Sequence, residues 1–511
     1  MKFNNLIIHP LLFGIFPVLS LFESNMSFTS FSEIILPSFI ILSVVIVIWL
    51  FLIKTIKNGT KSALIISYSL ILFFVYGPVF FAIDDLTING EDVGRHSYLM
   101  IPFIGFGILG ILFLIKIKKE LKNLTTIANF ISLTIVSVIL FSIGTYSLEN
   151  SNSIEFESAE FEKMSNQNNL LPDIYYILLD GYPGKTSLLN VVNYDNQNFL
   201  NRLNQLGFFV QEHSYVNYPH TFLSIPSMLN MMYFDDDISL EHADTPSQNM
   251  PYLIGSNNKV MNFAKSQGYL TVSFDSGWGF SRDMKSADLK LCGDNKLFNS
   301  EFIISLVKNS MLNPVYVKIF ETDKIEGKLC IFDELPLIKN RTEQPIFVFA
   351  HIFSPHPPYL FGPTGEIRQL ENLDPHLETE SNLDKDAFVG QLQFVNKKIL
   401  YIVESLLDSE SQPIIIIQSD HGTAFLFEGQ IENWDSPTDE MIQERMDNIT
   451  FIFLPGNETD IFSNNLTPVN TFRILFNHYF ETDFEILPDK MYFGADGSYE
   501  LKDVTKILMN P

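Results

Sequence analysis

The hydrophobic pattern changes character once along the chain. Over residues 1 to about 147, Ile, Leu, Phe and Val form five long apolar segments, near 5–22, 34–53, 63–83, 98–115 and 125–147. Each is close to the ~20 residues a helix needs to cross a bilayer. His9, Pro10 and Pro17 interrupt the first, which makes it the weakest span. It has some signal-peptide character, but no small-residue cleavage site follows it, so we read it as a retained helix. The alternative for such runs is a buried soluble core. Five in succession, joined by loops of alternating charge, favour a membrane bundle over residues 1–147.

Those loops also predict orientation. Lys2 precedes the first segment, and Glu23 and Glu33 follow it with no basic residue. Lys54, Lys57 and Lys61 follow the second; Asp84, Asp85, Glu91 and Asp92, against one Arg95, follow the third. Lys116, Lys118, Lys119 and Lys122 follow the fourth. Basic loops stay inside. The expectation is a multi-pass plasma-membrane protein with its N-terminus inside and everything beyond the fifth segment extracytoplasmic. Residues 148–170, rich in Ser, Asn and Glu, read as a juxtamembrane linker.

From residue 171 to 511 the pattern is that of a globular domain. Short apolar runs at Ile174–Leu179, Tyr269–Asp275, Gln344–His351, Ile414–Ile417 and Asn448–Leu454 predict buried strands. Helical spacing predicts helices over Leu188–Leu206, from Thr221–Ser224 onward, over Asp384–Leu407 and over Thr467–Phe480. Strands alternating with helices predict an α/β fold, a mainly parallel sheet covered by helices on both faces.

Charge and cysteine content narrow the partners. The acid excess behind the formal net charge of -26 lies beyond residue 147, which argues against nucleic acid. Cys292 and Cys330 form one disulfide if the domain is extracytoplasmic, or stay as two free thiols. Both readings stand at this point.

Chemistry gathers at strand ends. The run Ile414–Ile417 leads into Ser419-Asp420-His421-Gly422, and Ile174–Leu179 leads into Asp180-Gly181. The carboxyl edge of a parallel sheet is where such folds place their sites. Carboxylate and imidazole are ligands for a divalent cation. The plainer readings are a solvated Asp-His pair and a turn Asp before Gly. In Tyr218-Pro-His-Thr-Phe-Leu-Ser-Ile-Pro-Ser-Met228, a helix starts around Thr221 to Ser224. A hydroxyl there is either a simple N-cap or a nucleophile aimed into an anion site. His351 and His356 lie at the end of another strand, in a Pro-rich loop that fixes the backbone, and a solvated loop His is the alternative for each.

These residues, in this order, resemble the alkaline phosphatase superfamily. More narrowly, they are similar to its sulfatase-like, membrane-anchored branch, which includes the lipoteichoic acid synthases and phosphoethanolamine transferases. The transferase pattern Thr-x-x-Ser-x-Pro-x-Met matches Thr221-Phe-Leu-Ser-Ile-Pro-Ser-Met228. The resemblance implies that Asp180, Thr221, Asp420 and His421 hold a divalent ion, zinc or manganese, with magnesium and calcium open. It implies Thr221 as the nucleophile, with Ser224 as runner-up, and places His351 and His356 where the transferred group is met. Two departures qualify it. Sulfatases that use formylglycine carry Arg where Met228 stands and Cys or Ser at the converted position, here Ser224. No Asp-x-x-x-His pair for a second metal lies near His351. The implied function is transfer of a phosphoryl-linked group, such as phosphoglycerol or phosphoethanolamine, from a lipid donor to a cell-surface acceptor through a covalent Thr intermediate. A phosphate- or sulfate-ester hydrolase using the same residues is one alternative, and an inactive membrane-anchored binding protein is another.

Overall fold

The structure is a computed structural model. It describes residues 6–26, 29, 31–83, 87–88, 91–92, 95–150, 171–211, 213–234, 255–276, 281, 284–292, 301–368, 384–409, 411–427, 434–464, 466–495 and 500–509. The chain divides into two compact units: residues 1–155 with 295–323, and residues 156–294 with 324–511.

The first unit is built on five helices: α1 (His9–Ser24), α2 (Phe31–Ile56), α3 (Gly59–Phe81), α4 (His96–Lys116) and α5 (Lys122–Asn150). Four stretches, Glu33–Ile56, Gly59–Phe81, His96–Lys116 and Lys122–Leu148, are long and apolar enough to cross a membrane. At 16 residues, α1 is shorter than the ~20 a crossing usually takes. It is tied to its neighbours by polar contacts instead. Asn129 Oδ1 of α5 accepts the amides of Ile8 and His9 at 3.1 and 3.0 Å, and His9 Nδ1 lies 2.6 Å from Ser67 Oγ of α3. These satisfy donors that α1's first turn leaves over. Phe39, Leu50, Ile101, Phe130 and Phe141 point outward, an apolar sheath that suits lipid rather than water. Most of the expected 148–170 linker lies outside the described residues, and α5 runs on to Asn150. Residues 295–323, which the sequence pattern left in the second domain, group with these helices.

The second unit is an α/β domain. Its sheet uses β1 (Ile174–Leu179), β2 (Phe209–Val210), β3 (Leu270–Phe274), β4 (Leu289–Leu291), β5 (Ile346–Ile352), β6 (Ile414–Ser419) and β7 (Thr450–Phe453). The spatial order is β2-β7-β6-β1-β5-β3-β4. Pairing from β6 through β1, β5 and β3 to β4 is parallel, and β7 runs antiparallel to β6 and β2. The inner parallel strands bury both faces, which is why β1, β5 and β6 are apolar almost without interruption. Tyr175, Ile177 and Leu179 of β1 face one core, and Ile174, Tyr176 and Leu178 face the other.

Helices cover both cores. α6 (Lys185–Asn190), α7 (Gln197–Gln205) and α12 (Lys385–Leu407) carry Leu188, Phe199 and Val395 into the first. α8 (Thr221–Asn230), α9 (Lys259–Ser266), α13 (Asp439–Met446), α14 (Pro468–Phe480) and α15 (Thr505–Met509) serve the second, while α10 (Glu301–Lys308) and α11 (Asn313–Glu334) lie in the chain before β5. The single helix expected over Leu188–Leu206 is two helices, α6 and α7. Asn193 adopts a left-handed conformation, φ 60°, and Tyr194 N closes back on Leu188 O at 2.8 Å, so the helix ends there. Cys292 and Cys330 are joined in a disulfide, with Cα atoms 5.6 Å apart, which decides between the two readings of the cysteines.

One buried acid makes this domain sensitive to pH. Asp447 Oδ2 accepts the Ser187 amide at 2.8 Å and holds the start of α6. Burial pushes its carboxyl from 3.8 up to about 7. In the unfolded chain the same group loses its proton near 3.8, so the unfolded state binds fewer protons between that pH and about 7. Its contribution to stability is therefore present in acid and is lost as pH rises through this window, at roughly 1.4 kcal/mol per pH unit. Asp447→Asn should flatten the decline. Unfolding midpoints of both proteins measured from pH 4 to pH 7 check it; parallel curves would refute the assignment.

Candidate active site

The sheet register brings two carboxylates level. Leu179 pairs with Ile352 on one side and with Ser419 on the other, so Asp180 and Asp420 follow at the same height. Side chains alternate along a strand. Asp180 and Asp420 thus leave on the face of Leu178 and Gln418, the face that α8 covers. Gly181, at φ 65°, turns the chain immediately after Asp180, and its amide donates to Asp420 Oδ1 at 3.1 Å. The amide of His421 donates to the same oxygen at 3.0 Å. Asp420 Oδ1 is thereby fixed, while Oδ2 accepts no hydrogen bond among the described residues.

His421 completes the cluster. Its Nδ1 lies 2.8 Å from Gly422 O, an acceptor only, so Nδ1 carries the proton and Nε2 a lone pair. That Nε2 lies 3.7 Å from Asp180 Oδ1, 3.5 Å from Asp420 Oδ2 and 3.2 Å from Thr221 Oγ1. Ligand atoms of Asp180, Asp420 and His421 lie within 4.8 Å of one another, all buried. Two carboxylates and an imidazole lone pair facing one point in a buried site repel one another unless a cation or a proton offsets their charge. The residues present therefore fit the divalent ion expected from the sequence. Their mixed oxygen and nitrogen character suits zinc, manganese or magnesium chemistry.

Thr221 is the first residue of α8, after His220 as N-cap, and its hydroxyl donates to His421 Nε2. It is partly exposed. Ser224, one turn further on, is buried, and its hydroxyl has no hydrogen-bond partner among the described residues. Of the two hydroxyls, only that of Thr221 meets the carboxylate cluster.

The two histidines are placed differently. His351 lies inside β5, fully buried. Its Nε2 is 3.2 Å from Asp180 Oδ2 and its Nδ1 is 3.1 Å from Ser276 Oγ. Burial pulls its pKa down to about 4, so the neutral ring donates to Asp180 and accepts from Ser276. His356 lies on the loop beyond, its ring 6.1 Å from that of His421 and its amide bonded to Asp180 O at 3.0 Å.

Three residues that the sequence pattern did not single out hold these loops. Gln391 of α12 donates to Pro355 O and His356 O at 3.1 Å and accepts the Leu360 amide at 2.7 Å. Arg445 donates to Pro219 O at 2.6 Å, just before Thr221, and to Gly422 O at 3.3 Å, just after His421. Glu444 accepts from Thr423 Oγ1 and from the amides of Phe425 and Leu426. A Cβ on Gly422 would collide with the carbonyl of Glu444, so α13 and the Asp-His loop fit only with glycine there. None of the three has a local signature, since each acts on a loop far away in sequence. The only hint is a polar residue at an otherwise apolar helical position.

A parallel α/β sheet with paired acids at its carboxyl edge, beside a hydroxyl on the first turn of a helix, is an arrangement able to hold a cation and an anionic ester together. Residues 172–470 match the model of the sulfatase family, more than half of the chain, and the chain belongs to that family, within the alkaline phosphatase superfamily. No curated protein matches it in sequence. Among solved structures, it is similar to the C-terminal periplasmic domain of EcEptC from Escherichia coli at 10% identity, covering 68% of this chain and 97% of that one, TM-score 0.43. The integral membrane lipooligosaccharide phosphoethanolamine transferase A from Neisseria meningitidis matches at 10% identity over 92% of this chain and 93% of its own, TM-score 0.38. The periplasmic domain of phosphoethanolamine transferase EptC from Campylobacter jejuni matches at 14% identity over 64% and 95%, TM-score 0.37. The family assignment rests on the sequence match alone.

Proposed function

We propose that this enzyme transfers a phosphoryl-linked headgroup from a lipid donor to a cell-surface acceptor, with Thr221 as the covalent nucleophile. The observation that carries this reading is the Thr221 hydroxyl, 3.2 Å from His421 Nε2 and joined to the Asp180–Asp420 cluster at the first turn of α8. Asp180, Thr221, Asp420 and His421 would hold a divalent cation, zinc or manganese with magnesium or calcium open, which would supply positive charge to acidify the Thr221 hydroxyl and offset phosphate charge. Thr221 gives up its hydroxyl proton to solvent, and its Oγ1 forms the new bond to phosphorus as the bond to the lipid alcohol breaks. His356, on the loop beside His421, protonates the departing lipid oxygen. An acceptor hydroxyl, passing its proton to His356, then displaces Thr221 Oγ1, which takes up a proton from solvent. His351 keeps Asp180 oriented through its hydrogen bond. The membrane helices suit a lipid donor. The alternating charge of their loops and the Cys292–Cys330 disulfide both favour an extracytoplasmic catalytic domain. With the N-terminus inside, that placement requires α1 to cross as well, although its 16 residues make it the shortest of the five helices.

The family match supports a second reading, hydrolysis of a phosphate or sulfate ester by the same residues. Met228 in place of Arg, with Ser224 buried, disfavours the formylglycine route to it. Intact-mass measurement separates the two. The full chain, purified in detergent with manganese or zinc, is incubated with phosphatidylethanolamine and phosphatidylglycerol. The expected result is an adduct of headgroup-phosphate mass on the peptide containing Thr221. Release of phosphate or sulfate from aryl esters with no adduct would overturn transfer in favour of hydrolysis.

A further inference from the structure

The chain leaves the catalytic unit after Asp294 and rejoins it at Lys324, and the residues between group with the membrane helices. Within that unit, Phe302 and Leu306 of α10 are buried in one cluster with Val18, Leu19 and Phe22 of α1 and Ile34 of α2. Gly77 of α3 is the seat. A Cβ there would collide with the backbone of Asn309, so only glycine lets the segment lie this close. The amide of Met311 donates to Phe73 O at 2.9 Å. Phe73 precedes the end of α3 at Phe81 by eight residues, which is about 12 Å along a helix. With a hydrocarbon core about 30 Å thick, Met311 then lies below the surface.

Backbone bonding at the break between α10 and α11 matches that depth. In hydrocarbon every amide must find a protein partner. Across the break, Asn309 N donates to Ser305 O, Ser310 N to Val307 O, Met311 N to Phe73 O and Asn313 N to Ser310 O, at 2.9 to 3.1 Å. Leu312 N donates to Ser310 Oγ at 3.1 Å. All five amides are satisfied without water. A surface loop has no such need. Leu312 and Val315 remain 47% and 49% exposed, as do Ile71 and Val75 on α3 at 43% each, so the open side of the segment is apolar like the helix it rests on.

We propose that residues 301–315 are a re-entrant membrane element, seated on α1, α2 and α3 in the half of the bilayer at the Phe81 end of α3, with Leu312 and Val315 facing lipid acyl chains. The inference rests on α2 and α3 being membrane helices and makes no use of the transfer chemistry.

The test uses the full chain in native membranes. Leu312→Cys and Val315→Cys, with the native disulfide kept oxidised, should react with a water-soluble maleimide about tenfold or more slowly than Tyr401→Cys, because a thiol in hydrocarbon does not form the reactive thiolate. Tyr401, 59% exposed on α12, is the aqueous reference. Unfolding in sodium dodecyl sulfate should make all three react alike. The unsubstituted protein, photolysed with a diazirine-bearing phosphatidylcholine, should carry label on peptides from 301–315. Maleimide reaction as fast as at Tyr401→Cys would place the segment in water and overturn the proposal. Slow reaction without photolabel would place these side chains against protein and overturn the lipid contact.

Discussion

Thr221→Ala is expected to abolish the covalent adduct and to lower turnover by roughly three orders of magnitude or more, the scale seen when a positioned nucleophile is removed. The fold should survive. Thr221 is partly exposed on the first turn of α8, and its hydroxyl bonds only His421 among the contacts described. Losing it removes little core. Thr221→Ser keeps the oxygen and should keep most of the activity and the adduct. Ser224→Ala is the matched control, since that hydroxyl is buried and apart from the cluster. Turnover by Thr221→Ala at the parental rate, or an adduct that moves to Ser224, would remove Thr221 from the chemistry. Single-turnover kinetics on detergent-purified full-length variants, with circular dichroism to verify folding, decide this.

The second large effect is a change of sign on metal removal. Chelation should stop turnover and lower the unfolding midpoint, because an ion bound only by the folded state stabilises it by about 2.7 kcal/mol at 100 times its Kd. Asp420→Asn should then behave oppositely in the two conditions. With zinc or manganese present it removes a ligand, and the midpoint falls. With chelator it removes one of two buried acids that face His421 Nε2, and the midpoint rises. Oδ1 of the asparagine still accepts from Gly181 and His421, so the loop keeps its anchor. A lower midpoint in both conditions would mean that Asp420 is a structural acid and not a ligand. Scanning fluorimetry of both proteins with and without chelator reads the sign directly.

Much of this site was legible because strands advertise their ends. Ile414–Ile417 and Ile174–Leu179 are apolar runs stopped by an acid and a glycine, and parallel sheets place such ends on one edge. The membrane helices were equally plain, since composition alone defines them. What stayed hidden depends on contacts between distant segments. Gln391 and Arg445 work through backbone carbonyls around positions 355 and 219, which no local pattern encodes. The strand-end pattern foresees a histidine at position 351 but not that its ring points back at Asp180 instead of outward. The break at Asn193 is hidden in the sequence because its flanks keep helical spacing. Residues 301–315 are hidden for a different reason. Eight residues of amphipathic α10 inside an acidic domain look like any surface helix, and only Gly77, far upstream, marks where they sit.

β1 is paired at equal height on both sides, so its length works as a gauge. Counting from Ile174, the sixth residue is the last in the ladder, and the next is the acid. Shortening the strand by a single position would turn Asp180 towards the α6 and α7 side, away from His421 and Thr221. Shortening it by two would restore the face but draw the carboxylate back by about 7 Å, beyond reach of any shared ligand. Asp180 can be exchanged for another acid more readily than the apolar run before it can change in number. For this site the tolerance lies in chemistry, and the stringency lies in spacing.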